Sequence, residues 1–284
     1  YTTLFRSYLY KKRRRELAAF LALALVAVEA AVNTTVTSVT TTSREAYTRD
    51  NKEVQALMEK LEPAEDFYRV EKKTRKTKND GAWMNFPSVS LFSSTANADL
   101  TKFFKRMGCE ASTNAYSITG STPLVDSLLS VRYALYSEYI PNTDLVNYIQ
   151  ESGGTYLYEN LYTLPLGFVL PYDLADNWQY QMENPAEVQN DLCLLLGTDD
   201  VLVPVETEVS GSGCTFTADM AGEYYVYIQN KKVKNVKASL PSGEKNFSNV
   251  DRGYLLEMGN LSEGSRITLT PGESGETLTA AVYR

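Results

Sequence analysis

Leu17–Val39 reads LAAFLALALVAVEAAVNTTVTSV, 23 residues with no basic side chain and one acid, Glu29. A helix needs about 20 such residues to cross the hydrocarbon core of a bilayer, so this run is expected to be a transmembrane helix. Lys11, Lys12, Arg13, Arg14 and Arg15 stand immediately before it, whereas the far flank offers Arg44, Arg49 and Lys52, offset by Glu45 and Asp50. An excess of Lys and Arg marks the cytoplasmic side. The N-terminus is therefore expected in the cytoplasm, with the chain after Thr40 outside the cell membrane. A cleaved signal peptide shares the pattern of basic residues before an apolar run, but this run is long and Ala30-Ala31-Val32-Asn33 makes a mediocre cleavage site.

Glu29 lies well inside the run, and Asn33 follows one turn later on the same face. A charge near a membrane helix centre costs about 2.5–3.5 kcal/mol on insertion scales and normally faces a bundle interior or a wet cavity. Either further helices surround this one, or Glu29 is near enough to the outer interface to snorkel or be protonated. Residues 1–7, YTTLFRS, read like the translation of a sequencing adapter and are set aside as a tag would be. Residues 8–40 then hold the basic flank and the helix, and the chain is expected to be a piece of a longer protein.

The 284 residues carry a net charge of −7, unevenly spread. Residues 1–80 have 16 Lys/Arg against 11 Asp/Glu, and residues 81–284 have 12 against 24. Between Arg132 and Lys231 there is no Lys or Arg among 15 acids. Phosphate backbones need a basic footprint, so no nucleic-acid partner is expected. Clustered carboxylates such as Asp199 and Asp200 read either as a cation site or, with more weight, as a solvated acidic face. The absence of histidine excludes Ser-His-Asp and Cys-His devices and His-ligated metal. Cys109, Cys193 and Cys214 fit no metal spacing and read as small apolar packing residues, although a disulfide between two of them stays open. No catalytic residue and no metal ligand are assigned.

Beyond the span, Asp50-Asn51-Lys52-Glu53 forms a capping-box pattern before Val54, Leu57, Met58 and Leu61, and Pro63 ends that helix. A strand is expected over Asp66–Glu71, then a basic loop, Lys72–Lys78, that reads as a solvated turn or as a contact for anionic lipid or polymer phosphate. Helices are expected over Asn97–Met107, from Thr122-Pro123, and from Asn184-Pro185 to Gly197. Strands are expected over Val131–Ser137, Thr155–Glu159 and Leu166–Leu170. The mixture predicts an α/β domain over 41–197. After it, short β-rich runs separated by Gly, Ser, Asn and Asp predict an antiparallel β-sandwich over 198–284. The fold class expected is α+β with one N-terminal transmembrane helix. Tyr225 and Tyr227 fall on one face of the Glu223–Gln229 strand, opposite Tyr224, Val226 and Ile228, and either stack on sugars or cover a core edge.

Several segments together resemble the YfhO-like bacterial membrane proteins: Glu29-x-x-x-Asn33, Phe67-Tyr68-Arg69-Val70, Phe92-Ser93-Ser94, Gly120-Ser121-Thr122, and Ser127 to Tyr133. Tyr158-Glu159-Asn160 with Leu164-Pro165, and Asn184-Pro185-x-x-Val188-Gln189-Asn190, complete the set. The resemblance implies a multi-pass protein with a glycosyltransferase fold of the C type. Such a protein takes sugar from a polyprenyl-phosphate carrier, in some cases with a divalent metal, and decorates teichoic acid or another surface glycopolymer. It also implies that the carboxylate base lies in an earlier loop, so this portion is expected to be catalytically silent. Ser130-Val131-Arg132 departs from the family's usual Gly-Val-Lys. Asp126, Glu159 and Asn160 stand out as polar groups within apolar motifs, as substrate contacts or as local hydrogen-bonding groups. The competing reading is a membrane-anchored carbohydrate-binding or adhesive ectodomain, suggested by the β-rich region and the 20 tyrosines. The expected partners are the lipid bilayer and a cell-surface glycopolymer.

Overall fold

The computed structural model describes residues 15–40, 44–61 and 66–284. The basic flank Lys11–Arg14, the adapter-like heptapeptide and Pro63 lie outside the described residues. The chain divides into two units, Tyr1–Arg49 and Asp50–Arg284.

In the first unit, α1 (Arg15–Thr40) is a 26-residue helix, about 39 Å long at about 1.5 Å per residue. Its Glu16–Ser38 stretch is long and apolar enough to cross a membrane. Two hydroxyls in the Thr-rich C-terminal part bond back onto the helix. Thr35 and Thr37 Oγ1 donate to the carbonyls of Ala31 and Asn33, each at 2.8 Å, the local back-bonding that short hydroxyl side chains allow. A short helix, α2 (Arg44–Thr48), follows.

The second unit opens with α3 (Asn51–Met58). Its capping box does not form. Asp50 adopts φ +63° without a side-chain cap bond, because its carboxylate is drawn to Lys72 Nζ at 3.3 Å instead. β1 (Arg69–Lys72), β5 (Val131–Tyr136), β7 (Thr155–Asn160) and β6 (Val146–Ser152) form a four-stranded sheet in the order β1-β5-β7-β6. β1 is parallel to β5, and the other pairs are antiparallel. Val54 and Leu57 of α3 pack on the face that carries Val70, Tyr133, Leu135 and Leu157. β6 was not foreseen, since its surface is largely exposed and shows no clean apolar alternation. Leu166–Leu170, read as a strand from its apolar content, is loop, because Pro165 and Pro171 deny it ladder donors on either side.

Between these strands lie α4 (Asp80–Met84), α5 (Ala98–Arg106) and α6 (Pro123–Leu128), with a small sheet of β2 (Leu91–Phe92), β4 (Ala115–Tyr116) and β3 (Ala111–Ser112). After β7 come α7 (Leu174–Asn177) and α8 (Pro185–Leu195). The expected caps of three helices are in place. Asn97 Oδ1 accepts from Asp99 and Leu100 N–H, Thr122 Oγ1 from Val125 N–H, and Asn184 Oδ1 from Ala186 N–H. Phe104, Met107, Val125, Val188 and Leu192 then share one core.

The remainder is antiparallel. β8 (Pro204–Val205), β9 (Glu208–Ser210), β10 (Gly213–Thr217), β11 (Gly222–Ile228), β12 (Asn235–Leu240), β13 (Gly243–Ser248), β14 (Leu255–Leu261), β15 (Arg266–Pro271) and β16 (Ala280–Tyr283) make two sheets. Their orders are β13-β12-β15-β10-β9 and β14-β11-β16-β8. Phe216, Val236, Ala238, Ile267 and Leu269 from the first sheet and Tyr224, Val226, Ile228, Leu256 and Val282 from the second enter a single core. The protein has helices, mixed sheet and antiparallel sheets beside one apolar N-terminal helix, the α+β class expected.

The tyrosine-bearing face of β11 is not a sugar platform. Tyr225 and Tyr227 are buried with Ala186, Leu202, Leu255 and Tyr283. The change of texture near Gly197 is therefore no gap. Tyr283 OH accepts from Asn184 Nδ2 at 2.6 Å, and Leu255 N–H donates to Gly108 C=O at 2.8 Å. Gly120, at φ +83°, sits so close that an added Cβ would lie 2.5 Å from Gly108 O and 2.6 Å from Leu255 O.

Candidate functional site

The β1 segment continues past its last paired residue, with Lys73 N–H donating to Leu135 C=O at 2.9 Å. Strand alternation puts Val70 and Lys72 on the α3 side and Glu71 and Lys73 on the other, where Tyr136 of β5 also points. Glu71 is buried and serves as an anchor. Its carboxylate accepts from Ser88 Oγ, from Val89 N–H, and from both N–H and Oγ of Ser90. These bonds fix the turn before β2 beneath the cleft that Lys73 faces.

That cleft has a volume of about 230 Å³ and lies between Lys73, Arg75, Thr119 and Tyr136 on one side and Lys245, Phe247, Tyr254 and Glu257 on the other. Lys73 Nζ stands 3.6 Å from Asp126 Oδ2, 3.8 Å from Glu257 Oε2 and 3.4 Å from Ser121 Oγ. Glu257 Oε1 also accepts from Gly120 N–H at 2.7 Å. Burial lowers the affinity of Lys73 for its proton, but Asp126 and Glu257 outweigh it and hold the ammonium well above its ordinary value. Burial pushes the Asp126 carboxyl up, against the pull of Lys73. Asp126 Oδ1 is buried without a hydrogen-bond partner.

A second knot lies beside the first. Glu110 faces Lys78 at 3.1 Å, Arg252 at 3.6 Å and Arg75 at 3.7 Å, and Arg75 donates to Thr119 Oγ1 at 2.6 Å. Burial would raise the Glu110 carboxyl, yet Lys78, Arg75 and Ser117 bring it below its usual value. Burial pushes the hydroxyls of Tyr136 and Tyr254 up to about 12, so both remain protonated at neutral pH. Lys245 Nζ donates to Met258 C=O at 3.0 Å. The cleft thus offers ring faces, cationic donors and one carboxylate acceptor, a set that suits hydroxyl-rich ligands carrying anionic groups.

Of the residues singled out from sequence, only Asp126 belongs to this surround, through Lys73. Glu159 Oε1 accepts from Arg132 Nε at 3.0 Å, and Asn160 Nδ2 donates to Val131 C=O at 2.6 Å, both within the β1-β5-β7-β6 sheet. Glu29 and Asn33 lie one turn apart on α1, in the other unit. Lys73, Arg75, Lys245 and Glu257 were missed. The basic run Lys72–Lys78 was the available signal, and the solvated-turn reading misjudged it, since its cations are largely buried against acids from distant parts of the chain. Among the described residues, no three Cys, Asp or Glu side chains converge to hold a metal. Asp199 and Asp200 are exposed. The three cysteines are buried and unpaired.

Motif residues that carried the family resemblance join elements. Thr122 Oγ1 donates to Gln189 Oε1, Gln189 Nε2 donates to Met107 C=O, and Asn190 holds Leu202 through both its N–H and its C=O. Tyr158 OH both donates to and accepts from the Ile140 backbone at 2.8 Å.

A helix long and apolar enough to cross a membrane, followed by a compact α+β unit with a charged cleft, fits the class of membrane proteins that carry a folded polar domain. The chain belongs to the family described as bacterial membrane protein YfhO, whose model matches residues 1–200. No curated protein and no solved structure gives a significant match.

Proposed function

We propose that the protein is part of a membrane glycosyltransferase-like machine. It takes sugar from a polyprenyl-phosphate carrier and decorates a cell-surface glycopolymer such as teichoic acid. The unit Asp50–Arg284 lies outside the membrane, the basic flank of α1 lies inside, and the cleft between Lys73 and Lys245 holds the acceptor polymer. Bond making belongs to a carboxylate-bearing loop elsewhere in the full-length protein, and the described residues supply no ligand set for the divalent metal that such an enzyme can use. Membership of the family carries the reading. The pairing of aromatic faces with Lys73, Arg75 and Lys245 adds support from the site.

The test is genetic and chemical. A strain deleted for the full-length gene is complemented with wild type or with Lys245→Ala, and the sugar content of its purified surface polymer is measured at equal protein level. Deletion is expected to strip the sugar. Loss of one charge-assisted contact, worth about 1.5–3 kcal/mol, is expected to weaken acceptor use by about tenfold or more. Unchanged polymer in the deletion strain, combined with direct polymer binding by the purified protein, would instead favour a non-catalytic carbohydrate-binding ectodomain.

A further inference from the structure

Between β7 and α7 the chain runs LYTLPLGFVLPY, Leu161–Tyr172, with no charged side chain. Tyr162, Leu166, Phe168, Val169, Leu170 and Tyr172 are all exposed, Val169 at 98% and Tyr172 at 102%. Single exposed apolar residues are ordinary, but a contiguous set marks a contact surface. The segment is held at its ends. Leu161 N–H donates to Leu145 C=O at 2.9 Å, Leu164 N–H to Ser127 C=O at 3.2 Å, and Leu174 N–H to Pro171 C=O at 3.2 Å. From residue 165 to 170, no backbone N–H donates to a carbonyl among the described residues. The loop is thus tied to the body at its start and closed by a local turn at its end, and its tip presents side chains outward.

Three observations select the occupant. The unit follows a helix long and apolar enough to cross a membrane, in a chain of a membrane-protein family, so a bilayer surface is at hand. The loop combines aliphatic and aromatic side chains without charge, the composition of an interfacial anchor. Its unpaired peptide groups are too costly for the hydrocarbon core, but water among the headgroups satisfies them. The segment lies in the stretch between Arg132 and Lys231 that holds no Lys or Arg, so anionic lipid is not what attracts it. We propose that Leu161–Tyr172 is a membrane-contact loop, seated in the interfacial layer of the bilayer that α1 crosses. The contact gives the unit a second point of attachment, independent of the cleft and of any transferase activity.

The test uses the full chain reconstituted in phosphatidylcholine vesicles containing nitroxide-labelled lipid. A Val169→Cys variant carries an environment-sensitive fluorophore, and Val209→Cys, at an 85% exposed apolar site on β9, is the control. Wild-type protein sets the labelling background of the three buried native cysteines. The label at 169 is expected to emit at shorter wavelength and to be quenched by the lipid nitroxide several-fold more than the label at 209. Added phosphatidylglycerol should not strengthen that quenching. Equal quenching at the two sites overturns the proposal. A label at 169 that is shielded from aqueous iodide yet untouched by the lipid quencher also overturns it, by showing that protein covers the loop.

Discussion

Ser130 follows Leu129, the C-cap of α6, and is buried with φ +55°. A left-handed residue just past a helix end lets its N–H reach back to the last turn, and Ser130 N–H donates to Ser127 C=O at 3.0 Å. Its own carbonyl accepts from Arg69 N–H at 2.8 Å, so the turn delivers the chain from α6 into register beside β1. A glycine here, the residue that the family resemblance leads one to expect, would have a backbone reason. Serine in this region bears about 1–2 kcal/mol of strain, and a glycine costs about 0.5–1 kcal/mol more to order. Ser130→Gly is therefore expected to stabilise the protein by about 0.5–1 kcal/mol, read as a higher denaturant midpoint at unchanged slope. A lower midpoint would mean that the serine side chain matters more than the backbone.

At the scale of elements, local signals succeeded where no distant partner competed, as at α8, and failed at Asp50, whose carboxylate turns to Lys72 instead of capping α3. α8 announced itself by Asn184, Pro185 and Glu187 at its start and Gly197 beyond its end, and each signal acts within a few residues. β11 showed its alternation because its two faces enter different cores, the aliphatic one among the antiparallel sheets and the tyrosine one beside Ala186 and Leu202. β13 was missed because its residues are polar and largely exposed, so that pairing with β12 alone makes it a strand. The extension of β1 was misread for a different reason. The acids that neutralise Lys72, Lys73, Arg75 and Lys78 stand at Asp50, Asp126, Glu257 and Glu110, and no spacing rule joins them. Two of them, Asp126 and Glu110, are shifted in opposite directions. Burial raises Asp126 and Glu223, so the folded state holds protons there that the unfolded chain has released. Their contribution grows as pH falls from neutral through their folded values toward the ordinary carboxylate range. Glu110 is depressed, and its contribution is lost as pH falls further, through its folded value. Thermal melts from about pH 8 down to about pH 4 are expected to rise first and then turn over, with Asp126→Asn flattening the rise. A steady fall across the whole range in the wild type would contradict this assignment.

For the whole molecule, the sequence suggested a boundary at Gly197, where helices give way to short strands, and the family match also stops close by, at residue 200. Bonds across that position nevertheless tie the two parts. Asn184 reaches Tyr283, Gly108 accepts from Leu255, Gly120 donates to Glu257, and Tyr227 OH donates to Glu183 C=O at 3.1 Å. Tyr225 and Tyr227 fill the seam with apolar area beneath α8. A part that buries two tyrosines and several backbone groups against its neighbour cannot unfold without exposing both surfaces, and such coupling makes the transition cooperative. The probes needed to see this are already in the chain. Its two tryptophans, Trp83 and Trp178, both precede Gly197, whereas far-ultraviolet dichroism also senses the antiparallel sheets that follow it. Guanidinium unfolding of the full chain in detergent is therefore expected to give coincident tryptophan and dichroism transitions, since α1 keeps its helix in the micelle and adds only a constant signal. Dichroism that persists well beyond the tryptophan midpoint would show that the antiparallel part stands alone. The cleft between Lys73 and Lys245 would then sit on a movable joint.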